Sequence, residues 1–188
     1  KSKGIIFLNK YAHQCISPYI NNKKKSYTII PHGAPKLVHF VKRNYGKTDS
    51  RNSNKKLKLI YVSTVDLYKH QWNVVESAAQ LYKKGFNIEL YLVGSYYLPA
   101  YKKMMKVIKK EDPDQKFIKY LGLLEEREVR KHYKSADVAI FGSTCENMPN
   151  ILLEYMSYSL PIICSKKNPM PSILKDAAIY CDFEQTTD

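Results

Sequence analysis

Val138-Ala139-Ile140-Phe141-Gly142-Ser143-Thr144-Cys145-Glu146-Asn147-Met148-Pro149-Asn150-Ile151-Leu152-Leu153-Glu154-Tyr155-Met156 reads as an apolar strand, a loop of small residues and the start of a helix in one run. Pro149 suits the first helical turn, where its missing amide hydrogen costs nothing. Glu146 then falls in the loop and Glu154 about one and a half turns into the helix. A strand that ends in a small-residue loop and turns into a helix is where an open α/β sheet holds an anionic ligand.

The spacing narrows the ligand. At a rise of about 1.5 Å per residue the two carboxylates sit about 10 Å apart, with free backbone amides between them. A nucleoside diphosphate sugar fits that arrangement: one carboxylate accepts from sugar hydroxyls, the other from ribose hydroxyls, and the amides meet the diphosphate. Two glutamates eight positions apart are common by chance, and on most helices they form a solvated face. The strand before them, Asn147-Met148-Pro149-Asn150 between them and Leu160-Pro161-Ile162-Ile163 after them favour the functional reading.

This segment resembles the Glu-x7-Glu motif of retaining glycosyltransferases of the GT-B fold, the large group often called family 4 or group 1. The resemblance continues through Leu160-Pro161-Ile162-Ile163-Cys164-Ser165, Pro169-Met170-Pro171-Ser172-Ile173-Leu174 and Asp176-Ala177-Ala178-Ile179-Tyr180. It implies the donor-binding, C-terminal half of such an enzyme. The implied fold is α/β, a Rossmann-like doubly wound parallel sheet, and the implied reaction is sugar transfer from a nucleotide sugar with retention at the anomeric carbon.

The rest of the chain fits that outline. Residues 4–8 read as a buried strand, Lys10 to about Ile16 as a short helix ended by Pro18, and residues 27–30 as a second strand leading into Pro31-His32-Gly33. In the resembled family this pattern closes the acceptor-side domain, which gives the boundaries 1–40 for its end, 41–56 for a linker poor in apolar residues, and 57–188 for the donor-binding domain. From Leu57 strands and helices alternate: strand 57–62, the helix after His70 with Trp72, Val75, Ala79 and Tyr82 on one face, strand 88–93, a basic helix through Met104 and Ile108, strand 117–121, helix 125–133, the strand to Phe141, the Glu-x7-Glu helix and strand 161–164.

Four strand-end loops are expected to converge on the donor. In the first, Ser63 to His70, the resemblance to a Gly-Arg-x4-Lys-Gly segment puts Lys69 on the diphosphate-binding lysine. Thr64 stands in place of the usual arginine and His70 in place of the glycine. A lysine is a competent point-charge binder of phosphate, and an exposed lysine at a helix start is the alternative. The second loop is Gly94-Ser95, where close approach to a ligand or a plain turn explains the small residue equally well. The third, with Tyr120 and Leu121, matches the place where such enzymes hold the nucleobase. The fourth supplies Glu146 for the sugar hydroxyls, the amides of Asn147, Met148 and Asn150, and Glu154 for the ribose. His32 and Gly33, at the domain junction, are expected to face the donor phosphates.

Glu146 and Lys69 are thus the candidate catalytic residues. Helix-start amides and Lys69 stabilise charge on the leaving diphosphate without a metal or other cofactor. A hydrolase acid and nucleophile pair, about 5 to 9 Å apart across a sugar ring, is disfavoured in so short and basic an α/β chain.

Composition limits the alternatives. The chain has 188 residues, 44% of them hydrophobic, which indicates a globular protein. No run of about 18 apolar residues marks a membrane span, and no signal-peptide pattern opens the chain. The four cysteines lack zinc-type spacing and read as reduced, mostly buried thiols, so a cytoplasmic setting is expected. A nucleophilic Cys145 is disfavoured by the carboxylate beside it.

The net charge of +14 admits solvated surface lysines, an anionic membrane or lipid-linked acceptor, or nucleic acid. No nucleic-acid motif accompanies the lysine clusters. The resemblance implies a glycan or lipid-linked acceptor in cell-surface polysaccharide synthesis, and the positive charge would suit one, with peripheral contact to the inner face of the membrane. The rival is a non-catalytic basic module for nucleic acid or anionic lipid. With the acceptor side largely missing, the isolated chain is expected to bind donor weakly and turn over poorly.

Overall fold

Buried parallel strands must be apolar along their whole length, and Leu57–Val62 (β3), Ile88–Val93 (β4) and Val138–Phe141 (β6) form the centre of a sheet. The computed structural model describes residues 3–20, 26–33 and 56–185. Outside β3, β4 and β6 the sheet takes in Ile118–Gly122 (β5), Ile162–Ser165 (β7) and Ala178–Cys181 (β8). These strands form one six-stranded sheet in the order β5-β4-β3-β6-β7-β8, and every pairing is parallel. The order reverses between β3 and β6, which creates a crevice beyond their carboxyl ends.

The helices cover the sheet through their buried faces, and Gln71–Lys83 (α2) and Leu98–Glu111 (α3) present clear apolar stripes. Of these, α2 buries Trp72, Val74, Val75, Ala78 and Ala79, and α3 buries Ala100, Met104 and Ile108 at four-residue steps. Glu126–Ser135 (α4) buries only Tyr133, and Asn150–Ser157 (α5) buries Leu152, Tyr155 and Ser157. Met170–Leu174 (α6) leads into β8. The buried carboxylate of Asp112 shapes the entry to β5, accepting from the amides of Lys116, Phe117 and Ile118 at 2.8, 3.0 and 2.7 Å.

Gly4–Phe7 (β1) and Ser26–Ile29 (β2) pair in parallel as a separate two-stranded sheet, with Lys10–Ile16 (α1) between them. The strand expected to be buried here is not: Phe7 alone is buried in β1. An apolar run reports the capacity for burial, and burial needs a covering layer. The expectation of mostly buried thiols is corrected too, since Cys15 and Cys145 are exposed while Cys164 is buried. The expected linker, residues 41–56, lies outside the described residues except for Lys56.

Candidate functional site

The loop after β3 and the loop after β6 meet at the reversal of strand order. Asp66 caps a 3-10 turn, Leu67–Lys69, by accepting from the Leu67 amide at 2.6 Å. The chain then passes through His70 in the left-handed region (φ 54°, ψ 30°) and enters α2. Glycine adopts that conformation without strain, and histidine is among the few side chains enriched there. His70 therefore takes over the conformational role of the glycine that the resemblance places at its position.

Two buried tyrosines tie the loops together. The Tyr61 hydroxyl donates to the Lys69 carbonyl at 2.8 Å and accepts from the Gly142 amide at 3.1 Å. The Tyr155 hydroxyl, on α5, accepts from the Val62 amide at 2.8 Å and donates to the Ile140 carbonyl at 3.3 Å. Burial pushes both phenols well above the usual tyrosine range, so both hydroxyls keep their protons. The Thr144 amide donates to the Tyr68 carbonyl at 2.9 Å, and His70 Nε2 lies 3.0 Å from Thr144 Oγ1. Burial lowers the His70 pKa and favours the neutral ring.

At the junction Lys69 Nζ forms an ion pair with Glu146 Oε1, the two side chains being 11% and 15% exposed. The ammonium also lies 5.0 Å from the Tyr68 ring centre and 5.1 Å from that of Phe141. Lys69 is therefore no exposed helix-start lysine. The pair forms part of the wall of an open cleft of about 460 Å³, which Ser63, Thr64, Gly94, Met148 and Asn150 also line. That volume is in the range of small-molecule sites. A second cavity, about 170 Å³ and apolar, lies between α2 and the end of β8, away from both glutamates.

The remaining candidates stand around this cleft or apart from it. Pro149 precedes α5 as its cap residue and Asn150 opens the helix, one position later than the sequence predicts. Its ψ of 113° is extended, which leaves the Met148 and Asn150 segment to turn toward the cleft. Asn147 is exposed and held from α1: Asn9 Nδ2 donates to its carbonyl at 2.6 Å and its side-chain oxygen at 3.1 Å. Glu154 is half-buried on α5, outside the cleft lining, and accepts from the Tyr133 hydroxyl at 2.7 Å.

Tyr120 donates to the Gly94 carbonyl at 2.8 Å, and Leu121 packs against the core. His32 and Gly33 are exposed and outside the cleft lining. Gly94 has φ 139°, and a Cβ there would lie 2.2 Å from the Ser63 carbonyl oxygen. The neighbouring strand end alone thus demands a glycine at 94.

Several contributors escape the sequence reading: Tyr61, Tyr155, Tyr133 and Gln71, whose amide donates to the Thr64 carbonyl at 3.0 Å, while Ser95, beside Gly94 in the expected second loop, meets Thr64 Oγ1 through its hydroxyl at 3.1 Å. The one available signal in the sequence is a tyrosine set in an apolar run, as at Tyr61 in β3 and Tyr155 in α5. Among the described residues no group of three or more His, Cys, Asp or Glu is placed to hold a metal ion, and no helix is long and apolar enough to cross a membrane.

A doubly wound parallel sheet with an open cleft at its switch point makes this a Rossmann-like α/β protein, of the kind found in GT-B chains. The family profile described as Glycosyl transferases group 1 matches residues 46–186, and the chain belongs to that family. It is 26% identical over 186 residues to the alpha-monoglucosyldiacylglycerol synthase of Acholeplasma laidlawii, covering 89% of this chain and 46% of that protein.

Among solved structures, TarM superposes with a TM-score of 0.74 at 16% identity, covering 99% of this chain and 34% of TarM. Anabaena HepE in complex with UDP gives 0.76 at 14% identity, covering 98% of this chain and 51% of HepE. At these identities the likeness establishes the fold. The chain spans about half the length, or less, of the relatives it matches.

Proposed function

We propose that the chain is the donor-binding part of a glycosyltransferase that moves a hexose from a nucleoside diphosphate sugar, with retention, to a glycan or lipid-linked acceptor. The observation that carries this reading is the Lys69–Glu146 pair in the wall of the switch-point cleft, beside the start of α5. Its two charges suit the two sides of the bond to be broken. Diphosphate oxygens beside Lys69 and the amides of Met148 and Asn150 are stabilised as charge grows on the leaving group. Glu146 accepts from the sugar hydroxyls on the other side of that bond. Glu154, one helical turn beyond the cleft-lining Asn150 and Ile151, takes the ribose, and Tyr120 borders the base.

On this reading Lys69 and the amides serve the diphosphate and no metal enters the step, so EDTA leaves transfer unchanged. Donor held from one side only is bound weakly, and transfer is slow until the acceptor side of a GT-B cleft faces it. The test is a thermal-shift series with UDP, GDP, ADP, CDP and their sugars on the wild type and on Glu154→Gln. Ligand bound only by the folded chain raises the midpoint once its concentration exceeds its Kd. The reading expects stabilisation by one base family, reduced in the variant; equal response to every base, or none at millimolar ligand, contradicts it.

The acceptor side has its own observation. On α3, Lys102, Lys106 and Lys109 are exposed and have no carboxylate partner among the described residues, while Tyr97 and Leu98 at its start are 50% and 51% exposed. We take this face as a peripheral contact for an anionic membrane surface at the cytoplasmic side. It favours a lipid-linked acceptor; together with the family match it makes a basic module for nucleic acid the weaker reading. Vesicle flotation with and without anionic lipid measures the contact, and equal binding to neutral vesicles removes it.

A further inference from the structure

We propose that Tyr133 is a positioning residue for Glu154, holding one carboxylate oxygen so that the other is presented to the ribose diol, and that it thereby sets the preference for ribonucleotides over 2′-deoxyribonucleotides. The inference rests on the donor-site reading and names a residue which that reading does not need.

Glu154 Oε2 accepts from the Tyr133 hydroxyl at 2.7 Å, and no other hydrogen bond of the described residues uses this carboxylate. Oε1 is left for a ligand. Glu154 follows Ile151 by three positions and Asn150 by four, and both line the cleft, so the carboxylate is the next group on that helix face.

Tyr133 is built to hold its hydroxyl still. It is 1% exposed, the one buried side chain of α4. Its ring meets Tyr155 edge-on at 5.5 Å and 90°, and Tyr158 at 5.1 Å and 49°. Both partners belong to α5 or its cap, the helix that carries Glu154. Burial, with Tyr155 and Glu154 nearby, raises the phenol far above the usual range, so it stays a donor at any working pH. A rigid donor restricts rotation of the carboxylate, and a carboxylate with one oxygen fixed reaches a vicinal diol in one orientation. An α4 packed solely for stability would be served equally well by phenylalanine at 133.

The test is calorimetric titration of the wild type, Tyr133→Phe, Tyr133→Met and Glu154→Gln with UDP, ADP, GDP and CDP and the 2′-deoxy form of each, with thermal unfolding recorded for every variant. For the nucleotide that binds most tightly, the wild type is expected to favour the ribo form about tenfold, the value of one hydrogen bond to a charged group. In Tyr133→Phe that ratio falls to about threefold or less while the deoxy affinity stays near that of the wild type. Tyr133→Met also removes the hydroxyl while its flexible side chain fills the space, and lowers the ratio likewise, which serves if the phenylalanine variant folds poorly.

A Tyr133→Phe protein that keeps the wild-type ratio, or weakens both forms equally, overturns the proposal. If Glu154→Gln abolishes the ratio and Tyr133→Phe does not, Tyr133 alone is misassigned. If Glu154→Gln also keeps the ratio, or if the wild type binds none of the nucleotides, the donor-site reading fails and the proposal with it.

Discussion

Lys69 and Glu146 are two charges taken largely out of water, and their attraction offsets a desolvation cost that neither could meet alone. Removing one partner leaves the other uncompensated. Lys69→Met and Glu146→Leu are each expected to lower unfolding free energy by about 3 kcal/mol, and the double variant by clearly less than the sum. Urea unfolding of the four proteins measures this, and additive losses would mean that the pair is not coupled.

His70 supplies a second prediction at this scale. Its pKa is lowered from 6.5 by burial, so the folded chain binds fewer protons at this site than the unfolded chain does. The stability it carries is complete above pH 6.5 and falls as the pH drops from there toward its folded pKa. Midpoints followed across that range show the slope, and His70→Asn, which keeps a side chain tolerant of the left-handed region, flattens it. The sequence marks both residues as candidates by position. It does not reveal that Lys69 is buried, because its partner lies 77 residues away and no local pattern records the pairing.

At the scale of elements, β3 to β7 and the helices between them are legible because buried parallel strands are apolar runs and α2 and α3 repeat apolar residues every three or four positions. The edges are less so. Pro149 misses its expected place by one residue because its extended ψ serves a cap as readily as its fixed φ serves a first turn. The Tyr155 hydroxyl links the ends of β3 and β6 through contacts across 93 and 15 residues, which no periodicity reports. Tyr155→Phe is expected to cost about 1 to 2 kcal/mol, since the Val62 amide loses its acceptor inside the core.

Gly94→Ala is a harsher test of the same region. Its Cβ would meet backbone at 2.2 Å, and φ of 139° strains any side chain. A loss of about 3 kcal/mol, with weakened nucleotide binding through the displaced Ser63 loop, is expected from denaturant unfolding. A variant as stable as the wild type would mean that the β3 and β4 ends are not held as described.

For the whole molecule, the doubly wound sheet, its switch point and membership of the group 1 glycosyltransferases follow from the sequence, while nothing in the sequence identifies a base, a sugar or an acceptor. The third loop shows why. Tyr120 spends its hydroxyl on the Gly94 carbonyl, and recognition through backbone groups has no side-chain signature. The +14 charge adds a physical expectation at this scale. Binding to anionic vesicles should weaken several-fold between about 50 and 200 mM salt, because exposed charges are screened within about 10 Å at 0.1 M. Charge reversal at Lys102, Lys106 and Lys109 should reproduce that loss at low salt.

The most direct test of the central claim is to map, by amide ¹H–¹⁵N shifts, where a nucleoside diphosphate binds. The account predicts perturbations concentrated at residues 63–70, 94–95 and 142–151, saturating together, with the lysine face of α3 unmoved. Perturbations spread over Lys102, Lys106 and Lys109 and abolished by salt, with those three segments silent, would contradict a donor site at the switch point and leave a basic surface that collects phosphates.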